Sequence, residues 1–149
     1  MAESTIKITP TLKSLLERLG GDIKGGFEAG MSRVLSVAEA HSLDEVPVVT
    51  SNLLNSITSF VTDSGRTGVL KATAAYALFV HEGTKPHVIR PKNPGGVLAF
   101  MVGGNMVFTR KVNHPGTKKN PFLQKGVDKT DLGKEFEAGI QGFLEQRGW

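Results

Sequence analysis

The apolar residues of this 149-residue chain change their spacing twice, and this change limits the fold more than any other feature of the sequence. Near both ends they recur every three or four positions, which is typical of one face of a helix. In the middle they form short runs separated by prolines and glycines, which is typical of strands and turns. The sequence therefore predicts an α+β fold in a single domain (1–149), with N- and C-terminal helices packed around a small antiparallel sheet.

The N-terminal third is predicted to be helical after an extended arm at residues 1–8. Thr9-Pro10 provides a capping side chain and a proline at the first helical position. Gly20-Gly21 is predicted to break or kink the helix, and Asp22 to cap a second helix that runs to about His41. A set of small residues in this second helix would let another backbone approach closely, which suits an assembly contact. These small residues are Gly25, Gly26, Ala29 and Gly30.

The remaining elements follow from turn and capping signals. Thr50 is predicted to cap a short helix, and Asp63-Ser64-Gly65 to form the turn of a hairpin over 59–74. Gly83 is predicted to end a short apolar helix that begins near Tyr76. Three strand candidates (87–92, 97–102 and 106–112) are followed by a loop (113–122) and a C-terminal helix (121–146).

Charge is distributed unevenly along the chain. Residues 83–127 contain eight basic and no acidic residues, whereas 1–82 and 128–149 each carry a net charge of −2. We therefore expect a basic hairpin or loop excursion over 84–120, and long excursions from a compact domain are usually functional. Its candidate contacts with other subunits or partners are Lys85, Arg90, Lys92, Arg110, Lys111, Lys118 and Lys119.

Trp149, the single tryptophan, is a further candidate contact. It could anchor in the groove of a neighbouring protein, or it could fold back on its own helix, and the sequence leaves both alternatives open. The arm at 1–8 and the segment 146–149 are candidate docking tails, because terminal segments stay loose unless a partner holds them.

Catalytic chemistry finds little support in the sequence. The absence of cysteine excludes thiolate metal sites and thiol nucleophiles. His81, Glu82, His87 and His114 could be combined into the metal site of a hydrolase, but they lie at turns without helical ligand spacing. No nucleophile elbow, phosphate-binding glycine loop or membrane-spanning apolar run is present, so we expect no catalytic residue, cofactor, small-molecule substrate or membrane association.

Sequence-independent nucleic-acid binding is an alternative, because eight cations could neutralise several phosphates. Single-strand binding proteins also present exposed aromatic side chains. The aromatic residues of the basic block, Phe100, Phe108 and Phe122, fit core positions of strands or of the helix start. An acidic neighbouring protein is therefore the favoured partner of the basic block.

Three segments, at 46–57, 76–93 and 112–123, together resemble the small neck and tail-completion (tail-component) proteins of long-tailed bacteriophages. They read VPVVTSNLLNSI, YALFVHEGTKPHVIRPKN and VNHPGTKKNPFL, in the order that the family has them. Ser51 and Leu54 depart from the glycine and arginine that are usual there. The positions that match the family motifs are Pro47, Thr50, Leu53, Tyr76, His81, Gly83, Thr84, His114, Pro115, Gly116, Pro121 and Phe122.

The resemblance implies a virion structural protein of the head–tail junction, assembled in the cytoplasm of the bacterial host and without catalysis or cofactor. Such proteins form a homo-oligomeric ring, for which six or twelve copies are the natural expectations. The ring contacts adjoining neck or connector proteins and tail-tube or terminator proteins, with packaged DNA passing nearby. A tail terminator that caps the tail tube is the nearest alternative, and a nucleic-acid-binding module is the alternative of another class. We expect the basic excursion of one copy to pack on the acidic helices of the next.

Overall fold

The computed structural model describes residues 10–47 and 51–149, with the side chains of 20–47 and 51–149. In this part the chain has five α-helices and three antiparallel strand pairs, so the predicted α+β fold is confirmed. The chain divides into two compact units: Met1–Ala74 with Phe122–Trp149, here the helical unit, and Ala75–Pro121, here the arm unit. The predictions for residues 1–8 and for the capping residues Thr9 and Thr50 lie outside the described residues.

Helix α1 (Pro10–Glu45) runs without interruption through Gly20-Gly21. The predicted break there is wrong, and Asp22 lies inside the helix with 1% of its surface exposed instead of capping a second helix. Each interior glycine disfavours a helix by about 1 kcal/mol relative to alanine, but packing of other elements along the helix can offset that amount. Local propensity therefore yields to tertiary contacts in this segment.

The C-terminal part forms two helices, α4 (Phe122–Asp128) and α5 (Leu132–Gln146), where the sequence predicts one helix over 121–146. The single helix is wrong because Asp131 caps α5 with its side chain, which accepts a hydrogen bond from the Lys134 N–H at 3.1 Å. The Thr130 hydroxyl donates to the Gly126 carbonyl at 2.8 Å and closes α4. The helical apolar spacing continues through this corner and conceals it in the sequence.

Helices α1 and α5 approach each other at glycines. A Cβ atom at Gly139 of α5 would lie 2.7 Å from the Ala29 carbonyl oxygen and 2.7 Å from the Gly30 Cα of α1. Phe136 of α5 lies over Gly30 and makes an edge-to-face contact with Phe27, with ring centroids 5.6 Å apart. The small residues of α1 thus accommodate a helix of the same chain, and their predicted use in an assembly contact is wrong.

A hairpin packs on another face of α1. Strands β1 (Ile57–Thr62) and β2 (Thr67–Ala72) pair in register from Ile57↔Ala72 to Thr62↔Thr67, after the short helix α2 (Ser51–Ser56). The turn lies over Asp63–Gly65, so the predicted hairpin is confirmed. Strand β2 pairs with no described strand other than β1. The buried apolar side chains of the helical unit are Val34, Leu35, Ala38, Val46, Leu53, Ile57 and Phe122.

The arm unit begins with helix α3 (Ala77–Glu82), which ends at Gly83 as predicted. It continues as nested strand pairs: β3 (His87–Ile89) pairs with β6 (Val112–His114), and between them β4 (Leu98–Val102) pairs with β5 (Asn105–Thr109). Strand β3 ends before Pro91, and residues 113 and 114 of the predicted loop belong to β6. Eight residues (90–97) connect β3 to β4, whereas two residues (110 and 111) connect β5 to β6.

Candidate interaction surface

Two Gly-Thr pairs close the base of the arm unit. The Thr84 N–H donates to the Thr117 carbonyl at 2.9 Å, and the Thr117 N–H donates to the Thr84 carbonyl at 3.1 Å and to the Thr84 hydroxyl at 2.9 Å. Gly83 and Gly116 precede these threonines with φ of 74° and 90°, a region that favours glycine. A Cβ at Gly83 would lie 2.7 Å from the Thr117 carbonyl oxygen. Two segments of the sequence motifs, 33 residues apart, thus meet in one structure, here the Gly-Thr clasp (Gly83-Thr84 with Gly116-Thr117).

An ionic cluster lies beside the clasp. Glu82 accepts hydrogen bonds from His81 Nδ1 at 2.8 Å and from Lys119 Nζ at 3.0 Å. These two donors, His81 more than Lys119, hold the pKa of the Glu82 carboxyl below its ordinary value. The Asn120 N–H donates to the Val80 carbonyl at 3.1 Å and ties the end of the arm unit to α3. His81, Glu82 and Lys119 therefore support the base of the arm.

The other two histidines of the arm unit face each other across β3 and β6, with ring centroids 5.1 Å apart. His87 Nδ1 donates to the Lys85 carbonyl at 2.8 Å, whereas His114 Nδ1 accepts from the Gly116 N–H at 3.0 Å. Within residues 10–47 and 51–149, no three His, Cys, Asp or Glu side chains are arranged to hold a metal ion. The residues of the hydrolase alternative thus serve turns and the clasp.

The tip of the arm presents an apolar face. Pairs Ala99↔Phe108 and Met101↔Met106 are two residues apart in the β4–β5 register, so their four side chains share one face, here the Met–Phe face. Phe108 is 65% exposed and Met101 61% exposed. The expectation that Phe100 and Phe108 occupy core positions is wrong, whereas Phe122 is fully buried as expected. A two-stranded hairpin is marginally stable by itself, and a contiguous exposed apolar patch marks an interaction site.

The arm unit is strongly basic. The arm unit contains seven basic residues and one acidic residue, Glu82, for a net charge of +6, whereas the helical unit has eleven basic and thirteen acidic residues, for a net charge of −2. A surface of this kind attracts acidic partners. All seven side chains are exposed: Lys85, Arg90, Lys92, Arg110, Lys111, Lys118 and Lys119.

The other motif positions are distributed over both units. Leu53 and Phe122 are buried in the helical unit. Pro47 is exposed and lies two residues after the end of α1. In the arm unit Tyr76 precedes α3, and Pro115 lies between His114 and the clasp. Pro121 ends the arm unit. The motif positions thus lie at the base of the arm unit and in the core of the helical unit, not at the exposed tip of the arm.

Trp149 folds back on its own helix, α5, as the second of its two alternatives has it, and it also contacts α1. Its Nε1–H donates to Asp22 Oδ2 at 2.7 Å, and Arg147 Nε forms an ion pair with Asp22 Oδ1 at 2.9 Å. The indole lines a cavity of about 270 Å³ together with Ile23, Phe27, Ile140 and Leu144. Sequence analysis missed the role of Asp22, because a carboxylate inside a helix gives no signal that it is buried.

A larger apolar depression, here the α1 groove, crosses the helical unit and has a volume of about 610 Å³. Leu35 and Ala38 of α1 form its floor, and Leu70 of β2 forms one bank. Leu132 and Phe136 of α5 form the other bank. The sequence did not indicate this groove, because its residues come from separate elements that all have ordinary core spacing.

No family model, curated protein or solved structure matches the chain. None of the described helices combines the length and the apolar character needed to cross a bilayer.

Proposed function

We propose that this protein is a ring-forming neck or tail-completion adaptor at the head–tail junction of a long-tailed bacteriophage. It acts through contacts between subunits and with adjoining rings, without catalysis. The proposal is supported by the ordered motif resemblance at 46–57, 76–93 and 112–123. The observation that carries it is the arm unit, whose motif residues form the Gly-Thr clasp and whose tip exposes apolar side chains among cations.

In this proposal each subunit is stabilised by neighbours that bury its exposed apolar face. A tip with an uncovered apolar face gains stability when a partner buries it, by about 1.5–3 kcal/mol for each large apolar side chain. The excess of cations on the arm directs this contact toward an acidic surface, and the helical unit has the opposite net charge. Head-to-tail contacts between two different surfaces close into rings when the rotation permits.

The test is the solution mass of the purified chain, measured by light scattering and by negative-stain electron microscopy. The wild type is expected to form a discrete ring, alone or with an adjoining ring protein. A variant with Arg90, Arg110, Lys111 and Lys118 changed to glutamate is expected to remain a folded monomer with the same circular dichroism. Lys24→Glu with Lys134→Glu is the matched control, because both are exposed cations of the helical unit.

Each outcome of this test has a definite meaning. A wild type that stays monomeric at all concentrations and with candidate ring partners contradicts the ring. A four-site variant that assembles normally contradicts the role of the arm charges. The neck and the tail-terminator alternatives are separated by the partner, because a terminator binds tail-tube rings and a neck adaptor binds connector rings.

A second candidate function, sequence-independent nucleic-acid binding, is favoured by one observation: Phe100 and Phe108 are exposed among the arm cations. Base stacking on exposed aromatics next to a basic strip is the usual chemistry of single-strand binding. This candidate requires affinity for single-stranded DNA that falls steeply with salt and is weakened by Phe108→Ala. A chain that ignores DNA at low salt contradicts it.

A further inference from the structure

The Met–Phe face and the α1 groove are both apolar; cations adjoin the first, and two exposed aspartates adjoin the second. Arg110 and Lys111 directly follow the β5 residues of the Met–Phe face. Asp128 and Asp131 adjoin Val127 and Leu132 at the α4–α5 end of the α1 groove. Both aspartates are exposed, and neither forms an ion pair with a lysine or arginine of the described residues.

The α1 groove also has a bank that suits a strand. Strand β2 carries Gly68 and Leu70 on this bank, and its outer edge pairs with no described strand. An extended segment can add to an open strand edge through main-chain hydrogen bonds, while its alternate side chains enter the pockets beside it. Strands β4 and β5 have five residues each and β2 has six, so their lengths match.

From this complementarity we infer that the Met–Phe face of one copy docks in the α1 groove of a second copy. The two surfaces differ and lie on the same chain, so each subunit gives its arm to one neighbour and receives an arm from another. Met101, Met106 and Phe108 fill the groove, and Arg110 and Lys111 meet Asp128 and Asp131 of the receiving copy. This inference rests on the proposed ring and identifies the contact that builds it.

Cross-linking tests the contact directly, because the chain has no cysteine and introduced cysteines are the only thiols. Met106→Cys is combined with Leu132→Cys on the groove, and separately with Ile23→Cys on the cavity beneath Trp149. Leu132 and Ile23 are matched in exposure, at 48% and 56%. A bismaleimide is added, and the products are separated by denaturing electrophoresis, while light scattering reports whether each variant forms the ring.

The Met106→Cys/Leu132→Cys protein is expected to give a ladder of dimers, trimers and larger products. Its cross-linked fraction should exceed that of the Met106→Cys/Ile23→Cys protein at least about tenfold, since docking holds the thiols at high effective concentration. Mixing the two single variants Met106→Cys and Leu132→Cys should give dimers only. Met106→Cys alone should give single chains.

Five results overturn the inference. A ring that forms without the Met106–Leu132 ladder overturns the contact and leaves the proposed function standing. Dimers from Met106→Cys alone mean that arms meet arms, and a ladder with Ile23→Cys means that the arm docks on the other surface. A cross-link within one chain, or a wild type that never assembles, removes the exchange between copies, and the latter also contradicts the proposed ring.

Discussion

Replacing Gly139 with alanine should destabilise the protein, although the same change in an open helix stabilises it. Gly139 lies inside α5, where removing an interior glycine is intrinsically worth about 1 kcal/mol. At this position the new Cβ would lie 2.7 Å from two backbone atoms of α1, whereas ordinary van der Waals contact begins at 3.4 Å. Overpacking of this kind costs typically about 1–3 kcal/mol, so the expected net loss is up to about 2 kcal/mol.

Gly142 is the matched control, because it lies in the same helix and a Cβ there meets nothing within 4 Å. Gly142→Ala should therefore stabilise the protein by about 0.5–1 kcal/mol. Urea unfolding followed by circular dichroism measures both variants, and the transition midpoint should move in opposite directions with an unchanged slope. In thermal unfolding, 1 kcal/mol corresponds to about 2–4 °C for a chain of this size. A Gly139→Ala protein as stable as Gly142→Ala would show that the close approach of α1 and α5 is not real.

Three further predictions concern the Gly-Thr clasp, the contacts of Glu45 with two lysines, and the buried carboxylate of Asp22. Gly116→Ala should strain the clasp by about 1–3 kcal/mol, because φ is 90° at this position. The strain should speed hydrogen exchange of the Thr84 and Thr117 amides, which bond across the clasp. Unchanged exchange would contradict the clasp. Hydrogen bonds from Lys129, and to a lesser extent Lys125, hold the pKa of Glu45 below its ordinary value of 4.5. Since the pKa is lower in the folded state, the stabilisation from Glu45 is present above that value and is lost as the pH falls through the folded-state pKa. Urea unfolding at neutral and acid pH should therefore show a smaller acid loss for Glu45→Gln than for the wild type, and an equal loss would refute this assignment. Asp22→Ala should shift the fluorescence emission of Trp149, the single tryptophan, to longer wavelength. Asp22→Asn keeps an acceptor for the Trp149 Nε1–H and should shift the emission less. Equal shifts would rule out the hydrogen bond.

The elements that the sequence predicted correctly depend on local signals. Gly83 ends α3 because a single residue with positive φ is enough to stop a short helix. Asp63–Gly65 turns the β1–β2 hairpin for a similar reason, since turn chemistry is contained within three residues. The α+β class followed from the apolar spacing, which is a property of each segment alone.

Most of the wrong predictions depend on contacts between distant residues, whereas the missed α4–α5 corner is a local cap. Gly20-Gly21 stays helical inside α1, where the next residue, Asp22, contacts Arg147 and Trp149 of the far end of the chain. The α4–α5 corner depends on hydrogen bonds of Thr130 and Asp131 within a continuous apolar pattern. Phe100 and Phe108 lie on opposite faces of the β4–β5 pair, and their apolar character could not show that neither face would be covered. The motif resemblance named Gly83 and Gly116 without indicating that they meet.

The division of the helical unit into Met1–Ala74 and Phe122–Trp149 has a consequence for synthesis on the ribosome. Helix α1 emerges early, but α4 and α5 emerge after the whole arm unit has been made. The strand pairs of the arm are local and can form first, whereas the helical unit must wait for contacts of high sequence separation. Because Leu132 and Phe136 form one bank of the α1 groove, a nascent chain has an arm to offer before it has a groove to receive one. Growth of an assembly by the proposed contact is therefore limited to chains whose translation has passed these residues.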